Sequence, residues 1–232
     1  MTPMLVLVHT MPSLVASFAA WCREALPECR VLHVVDEPML ERIRQRGRED
    51  PEDDDRLSEH VRLADTIGAS AVLVTCSTVS RSVARVRGRA SIPLVAIDDA
   101  LAAEAVRRGP RIALVATAAS TLEPSQALLV AVAARAGREV EVTRRLVEGA
   151  LRALREGDVA AHDRLVLDAV RSAAVDSDVV VLAQATMAHV LVALADDPPG
   201  VAVLASPQLA LAEVRRAIFP DAVAAAPAQH EV

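Results

Sequence analysis

Val72-Leu73-Val74-Thr75-Cys76-Ser77-Thr78-Val79-Ser80 joins an unbroken apolar run to a cluster of small polar residues around one cysteine. A strand that is apolar at every position is buried on both faces, as in a parallel sheet covered by helices on either side. The polar cluster then falls at the C-terminal end of that strand, where open α/β sheets bind ligands. A thiol among hydroxyls at the start of a helix is placed for acid, base or nucleophile chemistry.

Similar runs recur on both sides of this stretch. Residues 4–8, 31–35, 71–74 and 94–97 read as strands, as do 112–116, 139–143, 179–182 and 201–204. Segments of helical periodicity lie between them, such as Leu57 to Ile67 and His162 to Ala174. Alternation of this kind predicts parallel sheets with helices on both faces. A single ungapped shift of 108 residues superimposes the two sets of strands. It carries His9 onto Thr117, Asp55-Arg56-Leu57 onto Asp163-Arg164-Leu165, Cys76 onto Gln184 and Asp98 onto Ser206. The fold class is therefore α/β. Two pseudo-symmetric flavodoxin-like halves, each a four-stranded parallel sheet flanked by helices, face each other across a cleft. The helical stretch Asp98 to Arg108 stops at Gly109-Pro110, which places the boundary between halves 1–108 and 109–232, with the C-terminal helix able to pack back on the first half. Residues 42–55 are densely charged and read as a solvated loop and helix entry, a metal-binding carboxylate cluster being the weaker reading; residues 222–232 read as a frayed tail.

The totals narrow the chemistry. The chain has 232 residues, is 53% hydrophobic and carries a formal charge of −6. An acidic balance argues against a nucleic-acid partner. No lysine is present, which excludes Schiff-base chemistry and the usual pyridoxal-phosphate enzymes. No apolar run approaches the ~20 residues that span a bilayer. Met1 to Val8 has no basic n-region, so a cytoplasmic protein without membrane contact is expected. The three cysteines, Cys22, Cys29 and Cys76, show no C-x-x-C spacing, so neither a disulfide framework nor a structural zinc site is expected. A homodimer is expected on general grounds.

Thr75-Cys76-Ser77-Thr78 after its strand resembles the first catalytic signature of the aspartate/glutamate/hydantoin racemase superfamily. Val180-Val181-Leu182-Ala183-Gln184-Ala185-Thr186-Met187 resembles the second, at the matching place in the other half. The resemblance covers nearly the whole chain. It implies cofactor-independent chemistry next to a carboxylate, with two cysteines facing each other across a small substrate. Dense hydrogen bonding would then stabilise the enediolate. This chain departs at one point: Gln184 stands where the second cysteine belongs, and a glutamine side chain does not exchange a proton at neutral pH. The resemblance thus implies an isomerase acting on an amino-acid-like or hydantoin-like carboxylate with Cys76 as acid/base. Its alternatives are a one-thiol decarboxylase or lyase of the arylmalonate decarboxylase type, whose thiol lies in the second half, and an inactive carboxylate-binding homologue.

Individual residues carry competing readings. Cys76 is either the functional thiol or a small buried hydrophobe. Cys22 and Cys29 read as packing residues, a redox pair being the weaker reading. Gln184 either donates to a substrate oxygen or caps the next helix. Thr75, Ser77, Thr78, Ala185 and Thr186 line the two signatures and are candidate substrate contacts. Thr117, Ser120 and Thr121 form a turn before a helix placed beyond Pro124. That turn either holds an anion through its N–H groups and hydroxyls or is an ordinary N-cap; in the family the corresponding turn holds a substrate carboxylate. His9 is a candidate second titrating group or a hydrogen-bonded structural histidine. His189, five residues past Gln184, is expected to point away along a helix that starts near Thr186. Asp98 either faces the cleft or, the favoured reading, caps its own helix.

Overall fold

The computed structural model describes residues 2–220, so the expectation for residues 222–232 lies outside the described residues. In the first half the order is β1 (Met4–His9), α1 (Leu14–Ala25), β2 (Arg30–Val35), α2 (Glu37–Arg46), α3 (Pro51–Thr66), β3 (Ala71–Val74), α4 (Ser80–Arg87), β4 (Leu94–Ala96) and α5 (Asp99–Arg108). The second half follows with β5 (Arg111–Ala116), α6 (Ala119–Arg135), β6 (Glu141–Leu146), α7 (Ala150–Arg155), α8 (Val159–Ala174), β7 (Val179–Leu182), α9 (Val190–Asp196), β8 (Ala202–Ala205) and α10 (Ser206–Ile218).

Each half holds a four-stranded parallel sheet, in the orders β2-β1-β3-β4 and β6-β5-β7-β8. β3 and β7 sit inside their sheets and are buried at every residue, which is why they read as continuous apolar runs. β6 is an edge strand and largely exposed. Its polar residues gave no apolar run, and it lies two residues later than its sequence pattern placed it. No helix among the described residues is long and apolar enough to cross a membrane.

The halves exchange helices. From the first half, α5 contributes Leu101, Ala102, Ala105 and Val106 to a core with Ile112, Leu114, Val179 and Val181 of the second sheet. From the second half, α10 contributes Ala210, Leu211 and Val214 to a core with Leu5, Leu7, Phe18 and Leu73 of the first. Arg215 of α10 also bonds the Ala25 carbonyl and pairs with Glu28 at 2.9 Å. The two cores thus interlock through one helix each, which fixes the strand ends of the halves relative to one another.

The charged run at 42–55 is not a solvated loop. Asp50 caps α3, and its side chain with that of Asp53 forms a capping box around Pro51 at the first helical position. Asp53 is fully buried against Arg46, and Asp54 is buried against Arg85 of α4 at 2.6 Å. Buried carboxylates need such partners, so these are structural ion pairs that tie α2 and α4 to α3.

Register also corrects the repeat. Val8 lies beside Val74 as Val115 lies beside Leu182. Val74 and Leu182 obey the 108-residue shift, but Val8 and Val115 are one residue short of it. Thr10 therefore corresponds to Thr117, and His9 to Ala116.

Candidate active site

β3 and β7 end in matching turns. Cys76 and Gln184 both have extended backbone, with φ/ψ of −122/115° and −139/135°, and each opens a short 3-10 turn, Ser77–Val79 or Ala185–Met187. The two turns meet at the junction of the halves, where the Ser77 hydroxyl donates to the Ala183 carbonyl at 3.5 Å.

Cys76 is half-buried, with its thiol among groups from three strand ends. Burial pushes the thiol above its ordinary range. The Thr10 hydroxyl and the Thr78 N–H and hydroxyl oppose that shift, and the nearby Asp98 charge adds to it. The buried Thr10 hydroxyl has no hydrogen-bond partner of ordinary geometry other than this proximity. At neutral pH Cys76 therefore holds its proton.

Asp98 does not cap α5; its side chain bonds no N–H of that helix. It is buried and turns toward the Cys76 turn, where its Oδ2 accepts from the Ser80 hydroxyl at 3.3 Å. Its Oδ1 has no partner. Burial raises its carboxyl to about 6, against the pull of the Ser77 and Ser80 hydroxyls. Asp98 also borders a cavity of about 10 Å³, room for about one water, whose other walls include Leu101, Leu114, Ser125, Val181 and Ala183. This cavity straddles the two halves.

At the other turn the Gln184 amide oxygen takes three donors. The Thr117 N–H (2.7 Å), the Thr117 hydroxyl (3.1 Å) and the Ala118 N–H (3.3 Å) all reach Oε1. Three donors on one atom fix the amide with its oxygen inward. Gln184 is no helix cap; it fills the N–H groups at the start of α6, the place where an anion would bind. Helix α6 begins at Ala119, before Pro124 and not beyond it, and neither Ser120 nor Thr121 caps it. Ser120 is exposed and Thr121 is buried.

The remaining candidates separate. Thr75 is buried, and its hydroxyl contacts His9 Nδ1 at 2.8 Å and the Val8 carbonyl at 3.3 Å. His9 is fully buried, and its Nε2 lies 2.8 Å from His33 Nδ1. Burial, with His33 adding to it, lowers His9 to about 4. Both of its nitrogens are occupied and its ring stays neutral, so it is a structural histidine binding β1 to β2 and β3. Ala185 packs into the core shared by β1, α1 and α10, leaving it no surface for a substrate. Thr186 is half-buried on its turn. His189 turns to Asp163 at 2.6 Å. Cys22 is buried in the core of α1, where burial and then Cys29 raise it to about 11, and Cys29 is also raised by burial.

Sequence reasoning missed Thr10 and misread Asp98. Both reach Cys76 through strand pairing, and nothing local in the sequence marks that. A register-corrected repeat would have found Thr10, since it stands to Cys76 as Thr117 stands to Gln184.

Comparison with known proteins agrees with this layout. Allantoin racemase from Klebsiella pneumoniae superposes with a TM-score of 0.71 at 18% identity, over 98% of this chain and 91% of that one. Glutamate racemase isoform RacE1 from Bacillus anthracis gives 0.66 at 18% identity, over 92% and 80%. Arylmalonate decarboxylase gives 0.59 at 16% identity, over 94% of each chain. These likenesses establish the fold. No curated protein matches by sequence search. The family model described as Asp/Glu/hydantoin racemase matches residues 8–214, from the end of β1 to the middle of α10 and through both signature turns. The chain belongs to the Asp/Glu/hydantoin racemase family.

Proposed function

We propose that this chain is a cofactor-independent enzyme acting at the carbon next to the carboxylate of a small amino-acid-like or hydantoin-like substrate, with Cys76 as the proton-transferring group. The observation that carries the reading is the pairing of unlike groups on matching turns. One presents a protonated thiol beside Thr10, Thr78 and Asp98; the other presents the N–H groups of Thr117 and Ala118, now filled by an amide oxygen.

In this reading a substrate carboxylate displaces the Gln184 oxygen from the α6 N-terminus, and its α-carbon comes to lie against Cys76. Hydroxyls of Thr78 and Thr10 stabilise the thiolate after proton transfer. Asp98, raised only to about 6, is ionised at neutral pH and accepts the thiol proton. The Cys76 thiolate then takes the substrate α-proton, gives a proton back to the same face of the enediolate, and recovers its own proton from Asp98. Both titrating groups belong to the first half. Protons then move at one face of the substrate, and the product keeps one configuration.

That one-sidedness favours a second reading within the same site. A decarboxylase that protonates a carbanion after loss of carbon dioxide needs one acid and no second thiol, and one of the similar folds is an arylmalonate decarboxylase.

The test is incubation in D₂O with a panel of amino acids, hydantoins and α-substituted malonates, following α-deuterium and carbon dioxide. Exchange with retained configuration supports the first reading, and carbon dioxide release the second. Cys76→Ser should lower either rate by about 100-fold or more, the usual weight of a general acid. A panel with neither exchange nor carbon dioxide, together with unchanged ligand binding by Cys76→Ala, would overturn both.

A further inference from the structure

The second half carries a cluster that the proposed chemistry does not use. His162 and Asp163 lie on α8, and His189 is the residue before α9. Asp163 Oδ1 is 2.7 Å from His162 Nδ1 and 2.6 Å from His189 Nε2. One donor atom from each of the three residues falls within 4.8 Å of the others. The two imidazoles are stacked, with centroids 5.7 Å apart.

The repeat gives this cluster its meaning. α3 and α8 match residue for residue at the 108-residue shift, from Pro51 and Val159 to Thr66 and Ala174. His162 therefore stands where Asp54 stands in the first half. There, Asp54 is held by Arg85, and this pair fastens α3 to α4. The counterpart of Arg85 is Ala193, so the second half has no guanidinium at that place. Instead, two imidazoles and a carboxylate fasten α8 to the start of α9. Elsewhere the buried carboxylates Asp36, Asp53 and Asp54 each hold an arginine. Asp163 has two histidines in that role.

Two imidazoles and one carboxylate present nitrogen and oxygen donors from two elements. That donor set suits Zn²⁺ and its neighbours, rather than Mg²⁺ or Ca²⁺, which prefer all-oxygen shells. The donors now sit at hydrogen-bond distance, and ligands ~2.1 Å from a central ion would stand about 3.4 Å apart. The cluster needs only to open slightly to admit one. Half of it is already fixed: His162 is fully buried in α8, so its ring cannot turn away. Its Nε2 is buried without a partner, so the usual outer-shell acceptor is missing, which puts affinity in a moderate class. His189 is exposed and can close the site from solvent.

We propose that His162, Asp163 and His189 bind one divalent transition-metal ion of the Zn²⁺ class, fastening α8 to the start of α9. His189 lies five residues after Gln184, so the bound ion would also brace the turn that carries the amide. The proposal stands apart from the chemistry at Cys76.

The experiment is calorimetric titration of the untagged, chelator-treated full chain with Zn²⁺, and with Co²⁺ for its absorption spectrum. One equivalent should bind with a micromolar constant and raise the melting temperature, and the cobalt spectrum should show nitrogen and oxygen ligation. His189→Ala, an exposed change that leaves the fold intact, should weaken binding at least tenfold, as should Asp163→Asn. Absence of saturable binding below millimolar metal, unchanged binding by His189→Ala, or a sulfur-to-cobalt charge-transfer band would overturn it.

Discussion

One exchange separates this chain from a two-thiol site: the position matching Cys76 holds Gln184. The amide is well seated, with its oxygen on the Thr117 and Ala118 N–H groups, so in the proposed reaction it both removes a proton carrier and covers the N–H groups that would hold the substrate carboxylate. Gln184→Cys should reverse both effects. The smaller side chain frees three donors and supplies an acid or base on the opposite side of the substrate. We expect this variant to gain racemisation, seen as α-deuterium incorporation with inversion, on any substrate that the wild-type protein exchanges with retention. Equal loss of optical activity in wild type and variant would show that the wild type already works from both faces, and would refute one-sided transfer. The place of Cys76 at the end of a buried strand was readable in sequence, because β3 is apolar at every residue. Asp98 was not, because Asp before a helix is a common cap. Only the fold shows its side chain turning away from the helix toward Ser80.

At the scale of elements, legibility followed burial. β3 and β7 are covered on both faces and announced themselves; β6, exposed at the edge, was misplaced. The capping pattern Asp50-Pro51-Glu52-Asp53 was present in the sequence, but a run of charges obscured it, since burial of Asp53 depends on Arg46 one helix earlier. Gly109 was read as a helix stop, and the structure adds a second reason for it. A Cβ there would stand 2.4 Å from the Asp178 Cβ, and Asp178 clasps Arg111 through its backbone N–H (2.9 Å) and guanidinium (2.6 Å). The backbone is extended at this point, so the constraint is close approach and not φ. Gly109→Ala should cost about 1–3 kcal/mol, the usual range for overpacking, measured by urea denaturation. In an Asp178→Gly background the same change should cost little, because the obstructing side chain is gone; equal costs in the two backgrounds would remove the explanation.

For the whole molecule, two buried groups on the strand ends either side of β3 tilt stability in opposite directions. His9 falls from 6.5 to about 4 on folding because it is buried beside His33. The unfolded chain therefore binds the extra proton first, and stability is lost as pH falls from 6.5 toward 4. Asp98 rises from 3.8 to about 6 because it is buried, with Asp99 adding to the shift and Ser77 and Ser80 opposing it. Here the folded chain holds the proton longer, and stability is lost as pH rises from 3.8 toward 6. Each shift corresponds to about 3 kcal/mol at most, so across pH 4 to 6 the two slopes largely cancel. Asp98→Asn keeps an oxygen for the Ser80 hydroxyl but cannot titrate. Its urea-denaturation stability, relative to the wild type at each pH, should climb by about 2–3 kcal/mol from pH 4 to 6.5. His9→Gln should show the reverse trend, losing stability relative to the wild type over the same interval. Parallel curves for Asp98→Asn and wild type would mean that Asp98 ionises freely in the folded protein. Such an Asp98 could not serve as the proton reserve for Cys76, so this stability measurement also bears on the catalytic role of the one buried carboxyl that the sequence alone had assigned to a helix cap.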